Sequence, residues 1–561
     1  MAAGCKAAAR LSRLSPDYNI IIVERRSFVS FGNCGLPLYA SGDVDDLFDL
    51  ARTSYGVVRD EKYFGDVKNV KVFVRTEATT INKGKNEVVC RNIDKDKTFI
   101  LRYDKLIIAT GTEPKKPPFP YPSSPVVSSF HSPADFRDFR QAVQQGKVDK
   151  AIIIGGGFIG CEMVEALTTL WGIETTLIEK EKSLLPGCLD TEMAYYLESC
   201  IKQDKINLML SSSINKIEID ENEKPVVLLD GDQKVISDYV FYCLGVKPDS
   251  NLAVKSGIKT GRYGGIIVDE KMKTSQPGIW AAGDCVEAKN FVTGSSDYFS
   301  FGSLANRMGR VAADVIAGKK TSFNGAAGTF SLKLFDNIIG ATGLTEEKAK
   351  KCEIDAASVI GCWSDRPEYH PDAKNLFGKL VYEKRTLKLL GLQMIGEGEV
   401  TRYIDVFSEL LSQKKTIEDL LNVEHCYTPA HSSPISPLNN LGYMVLNQEA
   451  GKIKNVNPLM VPAFSGYFID VREPYEIDSN PFSEKCLLIP LSELRSKLNS
   501  WKLEQPVMFV CEKGPRSYEA ARIFMNHGCK NISYLGGGNL LYSRIKNYCT
   551  ESLTFNSEEV V

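Results

Sequence analysis

Histidine is scarce in this 561-residue chain, with only five (His131, His370, His425, His431 and His527), which leaves little room for histidine-based catalysis. Cysteine is not scarce, at 15 residues, but paired motifs are absent: no CxxC occurs and the spacings are irregular. An odd count without a framework excludes a disulfide-stapled scaffold, disfavours structural zinc or any other bound metal, and reads as a reducing, cytoplasmic setting. No apolar run reaches the ~18 residues of a membrane span, so no membrane partner is expected. Charge of one sign is also lacking: the formal net charge is -2, which gives no global reason to expect nucleic acid. What remains is an ordinary globular composition, too long for a single core and suggesting three or four domains.

The N-terminal stretch from Met1 to Pro16 holds Ala, Ser and Arg and no acid. That composition occurs in transit peptides, but its context assigns it to the first helix of a domain. A weak internal repeat supplies the context. "NIIIVERR" (19–26) and "TTLIEKEK" (175–182) are apolar strands ending in Glu24 and Glu179, and each follows a helix rich in small residues. The second helix is preceded by the strand and turn Ala151-Ile-Ile-Ile-Gly155-Gly-Gly157-Phe-Ile-Gly160. Strand, glycine turn, helix, and a second strand ending in an acid make a Rossmann unit. The glycines let backbone N–H groups approach a pyrophosphate at the helix N-terminus. Glu179 follows Gly160 by nineteen residues, as a ribose-binding acid requires. An acid there favours NADH over NADPH, while Lys180 and Lys182 keep NADPH open. The first unit has the helix, strand and acid but not the opening strand or first two glycines. About ten further residues would restore them, so Met1 is read as an internal position of that motif.

Other segments suit an enzyme with two dinucleotide sites. "KLIIATGTEP" (105–114) runs into Ala109-Thr110-Gly111, "YVFYCLGVKPDS" (239–250) into a Gly/Pro crossover, and "GIWAAGDC" (278–285) into Gly283-Asp284 before a helix over 303–318. The reading is α/β: one dinucleotide-binding domain over 1–113 and 246–320, a second nested in it over 114–245, an α+β domain over 325–450 and an α/β domain over 458–550.

Two cysteines stand in chemically suggestive loops. Cys34 lies in Ser30-Phe31-Gly32-Asn33-Cys34-Gly35-Leu36-Pro37, beside the first dinucleotide unit, where a loop thiol can act as a nucleophile. Cys511 ends an apolar strand and opens the loop Cys511-Glu-Lys-Gly514-Pro-Arg516-Ser517 before a helix. Such a loop turns backbone N–H groups and a helix N-terminus toward the sulfur, and Arg516 adds charge.

Taken together, "SFGNCGLP", "ATGTEP", "IIIGGGFIG", "LGVKPDS", "AAGD" and "ANRMGR" resemble the pyridine nucleotide-disulfide oxidoreductase superfamily across residues 1–450. The single-cysteine "SFxNCGLP" pattern is most similar to coenzyme A-disulfide reductases, persulfide reductases and NADH oxidases. The segments "YFIDVREPYEI", "CEKGPR" and "YLGGG" resemble a rhodanese domain over about 460–548. The resemblance makes the four domains, in the order given, the FAD-binding, NAD(P)-binding, dimerisation and rhodanese domains. It implies FAD, with Glu24 on its adenosine ribose, Asp284 on its ribityl chain, and Asn33, Ala109, Thr110, Gly111 and Gly283 around it. It implies NADH or NADPH at Gly155, Gly157, Gly160 and Glu179. Cys34 would alternate between a thiolate and a mixed disulfide with coenzyme A, and Cys511, assisted by Arg516, would carry sulfane sulfur. Tyr427 would approach the sulfur site from the partner of a homodimer, and Tyr369 matches the first of a catalytic tyrosine pair whose second member is here His370. Arg10, Arg13 and Lys62 would lie near the coenzyme A nucleotide. Two alternatives are an NADH oxidase using a Cys34 sulfenate and a non-redox sulfur carrier on a defective reductase scaffold. Peroxidase relatives carry a histidine where this chain has Ala2 or Ala3, which argues against peroxide chemistry.

Overall fold

A computed structural model describes residues 2–201, 205–451, 453–498 and 506–553. Met1, and residues 499–505 inside the expected last domain, lie outside the described residues. The chain forms two compact units: Met1–Lys180 with Lys205–Ala326, and Glu181–Asp204 with Ala327–Val561.

The first unit contains the expected Rossmann sheet. Five parallel strands run in the order Ile206–Met209, Glu174–Ile178, Lys150–Ile154, Tyr239–Tyr242 and Val127–Ser128. Ile152, Ile153, Ile154, Leu177 and Val240 are buried, the near-continuous apolar pattern of strands covered on both faces. Elsewhere in the unit, Ile20–Val23 pairs in parallel with Val70–Phe73, and Leu106–Ile108 with Ile279–Ala281. The expected crossover is the antiparallel pair Thr112–Pro114 and Val246–Pro248.

The opening helix, Ala2–Leu14, packs against Gly302–Ile316. Small residues make this close approach possible: a Cβ on Gly309 would fall 2.3 Å from the Ala3 carbonyl, and one on Gly283 2.9 Å from the Ala3 Cβ. The run of alanines that resembles a transit peptide in composition is therefore a packed face, with Ala3, Ala7 and Ala8 buried.

In the second unit an antiparallel sheet runs Phe330–Leu334, Asn337–Gly343, Leu389–Gly396, Asn375–Glu383 and Ala356–Ser364, with the helices Thr401–Ser412 and Pro437–Gly451. A parallel sheet follows in the order Lys454–Val456, Ile532–Leu535, Val507–Val510, Tyr467–Asp470 and Cys486–Leu488.

Residues 181–204 depart from the continuous 114–245 boundary and belong to the second unit. A buried cation is one of the contacts that tie them there, beside the stacking of Tyr195 on Tyr548 and the ring contact of Tyr196 with Phe377. Lys379 meets Glu192 at 2.6 Å, Glu346 at 2.8 Å and Asp190 at 3.1 Å, and so fixes the start of the helix Thr191–Ile201. Burial alone would push the lysine down, but the three acids hold it above its ordinary value.

Candidate functional site

The strand Ile20–Val23 leads through the Cys34 loop into a short turn, Asn33–Gly35, and then the helix Leu36–Ser41, which has Pro37 in its first turn. Cys34 thus stands at the head of a helix, and it is exposed. This helix lies on a longer one, Phe158–Thr169, that opens from the NAD-type glycine turn. The C-terminal ends of the two helices meet where the indole of Trp171 donates to the Ala40 carbonyl at 2.8 Å. Near the other end, the Phe158 and Phe301 rings are 6.1 Å apart, and a Cβ on the adjoining Gly302 would sit 3.9 Å from the Cys34 sulfur. Glu162, one helical turn beyond Phe158, shares that face. Desolvation, followed by the carboxylates of Glu162 and Asp284, raises the Cys34 thiol above its ordinary value. Burial, reinforced by Glu165, pushes Glu162 itself up to about 7.

The surroundings fit a flavin nucleotide. Asn33 Oδ1 and Asp284 Oδ1 are buried without a hydrogen-bond partner among the described residues, polar atoms whose satisfaction calls for a ligand. Burial raises the Asp284 carboxyl, against a hydrogen bond from Ser300. Gly283 and Gly111 both hold positive φ, 86° and 75°, at the ends of the neighbouring parallel strands. Ala109 and Thr110 lie on the same turn, and the Thr110 hydroxyl bonds the Asp249 carbonyl at the crossover. Glu24 accepts the Arg26 N–H at 2.9 Å, which fixes its carboxylate at the end of its strand.

At the second glycine turn the three glycines serve different needs. A Cβ on Gly155, at φ 106°, would meet the Cys243 carbonyl at 2.6 Å, and one on Gly160 would meet the Gly155 carbonyl at 1.9 Å. A Cβ on Gly157 would meet no atom within 4 Å beyond its chain neighbours, the open side by which a pyrophosphate can approach. Glu179 is buried and accepts the Gly156 N–H at 2.6 Å, so its carboxylate is held at the turn.

In the second unit, Cys511 Sγ accepts N–H groups from Gly514 at 3.1 Å and Ser517 at 3.4 Å. Gly514 holds φ 125°, which wraps the loop into the helix Pro515–Asn526. Arg516 forms two 2.6 Å bonds to Glu476.

Residues 2–311 match the pattern of the pyridine nucleotide-disulphide oxidoreductases, and residues 329–436 match the dimerisation domain of that group. The chain belongs to this family. Family members are FAD- and NAD(P)H-dependent oxidoreductases, and this chain is of the coenzyme A-disulfide and persulfide reductase type. A solved NAD-dependent persulfide reductase from A. fulgidus superposes with a TM-score of 0.91 at 35% identity, covering 96% of this chain and 98% of its own. The reduced CoADR-RHD of Bacillus anthracis also gives 0.91, at 33% identity, covering 98% and 97%. An NAD(P)H coenzyme A polysulfide/persulfide reductase from Pyrococcus horikoshii is 31% identical over 437 residues, 78% of this chain and 95% of its own.

Among the residues expected at the family's substrate site, Arg10 is bound to Asp314 at 2.7 Å, because its helix packs on Gly302–Ile316. It is therefore engaged inside the unit. Arg13 is exposed, and so is Lys62, on the neighbouring helix Glu61–Lys68. Tyr369 and Tyr427, in the second unit, are 76% and 51% exposed, large aromatic surfaces available to a partner or ligand. Sequence reasoning missed Glu162. Its signal was present, since Glu162 lies four residues after Phe158 in the glycine-turn helix. It also missed Glu476, which is in the quoted segment "YFIDVREPYEI".

Proposed function

We propose that this protein uses NAD(P)H to reduce coenzyme A disulfide or coenzyme A persulfide through Cys34, with Cys511 as a sulfane-sulfur carrier in a rhodanese domain. The observation that carries the reading is the placement of one accessible thiol, Cys34, at a helix head beside the orphaned polar atoms of Asn33 and Asp284. Asn33, Gly111, Gly283 and Asp284 would hold FAD, whose chemistry there would be to relay an electron pair from the nicotinamide. The chain's residues do the rest. Cys34 attacks the substrate S–S bond and holds one half as a mixed disulfide, since a lone cysteine has no resolving partner in its loop. The departing thiolate or hydrosulfide needs a proton, and Glu162, pushed up to about 7 by burial, is the adjacent carboxyl that can hold one. Gly157 and Glu179 receive the NAD(P)H pyrophosphate and ribose. Arg13 and Lys62 are the exposed cations for the nucleotide phosphates of coenzyme A. A homodimer would bring Tyr369 and Tyr427 of one chain toward the sulfur site of the other, which suits their exposure.

Anaerobic sulfide release from coenzyme A persulfide with NADH tests this reading. Cys34→Ser is expected to abolish flavin-linked turnover, while Cys511→Ser retains it with this directly supplied substrate. Undiminished turnover in Cys34→Ser would overturn the assignment.

A further inference from the structure

The charges around Cys511 restrict its sulfur donor. Three side-chain cations belong to the loop and its wall, and each is already bound. Arg516 is held by both oxygens of Glu476 at 2.6 Å. Lys513 meets Glu368 at 2.6 Å and the Ser364 hydroxyl at 3.0 Å. Arg472, wholly buried, meets Asp470 at 2.7 Å and Glu512 at 2.9 Å. Three cations therefore face four carboxylates. Arg516 pushes Glu476 down to about 2, and Lys513 lowers Glu368, so these two counter-charges persist at neutral pH. The donors at the sulfur are uncharged. The N–H groups of Gly514 and Ser517 already point at Cys511 Sγ, and the Ser517 hydroxyl is fully buried without a hydrogen-bond partner among the described residues.

An incoming dianion would meet a net negative wall, and its second charge would find none of these three cations uncommitted. A neutral or singly charged terminal sulfur asks only for the N–H and O–H donors. We infer that Cys511 takes sulfur from a thiol-borne persulfide, R–S–SH, in preference to a dianionic donor of the thiosulfate type. The inference rests on the reading of Cys511 as a sulfur carrier. In the transfer, the Cys511 sulfur attacks the outer sulfur of the donor. The R–S–S bond breaks, a new S–S bond forms on Cys511, and the thiol proton passes to the departing R–S group to give R–SH. One S–S bond replaces another, so no external oxidant or reductant is needed.

The experiment uses the full chain in a Cys34→Ser background, so that loaded sulfur is not lost to reduction. Glutathione persulfide and thiosulfate are supplied separately, and the gain of one sulfur on the Cys511 peptide is followed by mass spectrometry, with Cys511→Ser as the blank. Persulfide is expected to load Cys511 at least roughly tenfold faster than thiosulfate, the scale of one missing charge-assisted contact. Glu476→Gln, which frees Arg516, should narrow that ratio. So should Glu368→Gln, which frees Lys513 at an exposed ion pair and puts the fold at little risk. Equal loading of the wild-type loop by both donors, or a ratio unmoved in both variants, overturns the donor assignment. Loading by neither donor overturns the sulfur-carrier reading itself, a result separate from Cys34 turnover.

Discussion

A single carboxyl, Glu162, decides much about the reactivity of Cys34. After desolvation it is the leading influence that raises the thiol, and it is itself pushed up to about 7. Glu162→Gln removes the like charge, so the pH midpoint for alkylation of Cys34 by iodoacetamide is expected to move to lower pH; an unmoved midpoint would exclude electrostatic control by Glu162. The same group affects stability with a definite sign. Its folded value lies above the ordinary carboxyl value of 4.5, so the folded state binds the proton more tightly. That stabilisation is complete below about 4.5 and is lost as pH rises through about 7. Urea midpoints measured across that window should fall less steeply with pH in Glu162→Gln than in the wild type. At this scale the sequence was legible only where function imposes a local motif. "SFGNCGLP" pointed to Cys34, and the glycine turn with Glu179 to the nicotinamide site. The pairing of Arg10 with Asp314 joins residues 304 positions apart, and no spacing rule announces it.

At the scale of elements, periodicity and glycine placement carried the reading. The Rossmann sheet formed where apolar strands, turn glycines and a terminal acid coincided, and the helix expected over 303–318 is Gly302–Ile316. The assignment of Thr191–Ile201 to the second unit was not legible, because buried charge pairing leaves no local pattern. Its anchor can be tested. Lys379→Met strands Asp190 and Glu192 without their cation in a buried site, an expected cost of about 3–5 kcal/mol in chemical denaturation. A loss well under 1 kcal/mol would mean that the cluster does not hold this helix. The close approach of Ala2–Leu14 to Gly302–Ile316 gives a second test. Gly309→Ala drives a methyl into the Ala3 carbonyl and should destabilise the first unit by about 1–3 kcal/mol, read as a lower denaturation midpoint.

For the whole molecule, two solved structures match 96% and 98% of this chain, so each of its compact units has counterparts of known fold. The two chemical sites differ physically. Cys34 is exposed, with a raised thiol among carboxylates, whereas Cys511 is buried and cradled by amides. One suits exchange with a large thiol, the other storage of a small sulfur. The proposed homodimer makes a further prediction. Mixed dimers of Cys34→Ser and Tyr427→Phe chains should recover about half of one wild-type dimer's turnover if Tyr427 serves the partner's site, because one complete site is reassembled in each. No recovery above the two parents would show that Tyr427 does not act across the dimer. The central claim remains that Cys34 exchanges covalently with coenzyme A. The most direct test is peptide mass spectrometry after coenzyme A disulfide is added to the reduced protein, before and after NADH. The account predicts a coenzyme A adduct confined to the Cys34 peptide and removed by NADH. An adduct elsewhere, or one on Cys34 that NADH leaves in place, would contradict it.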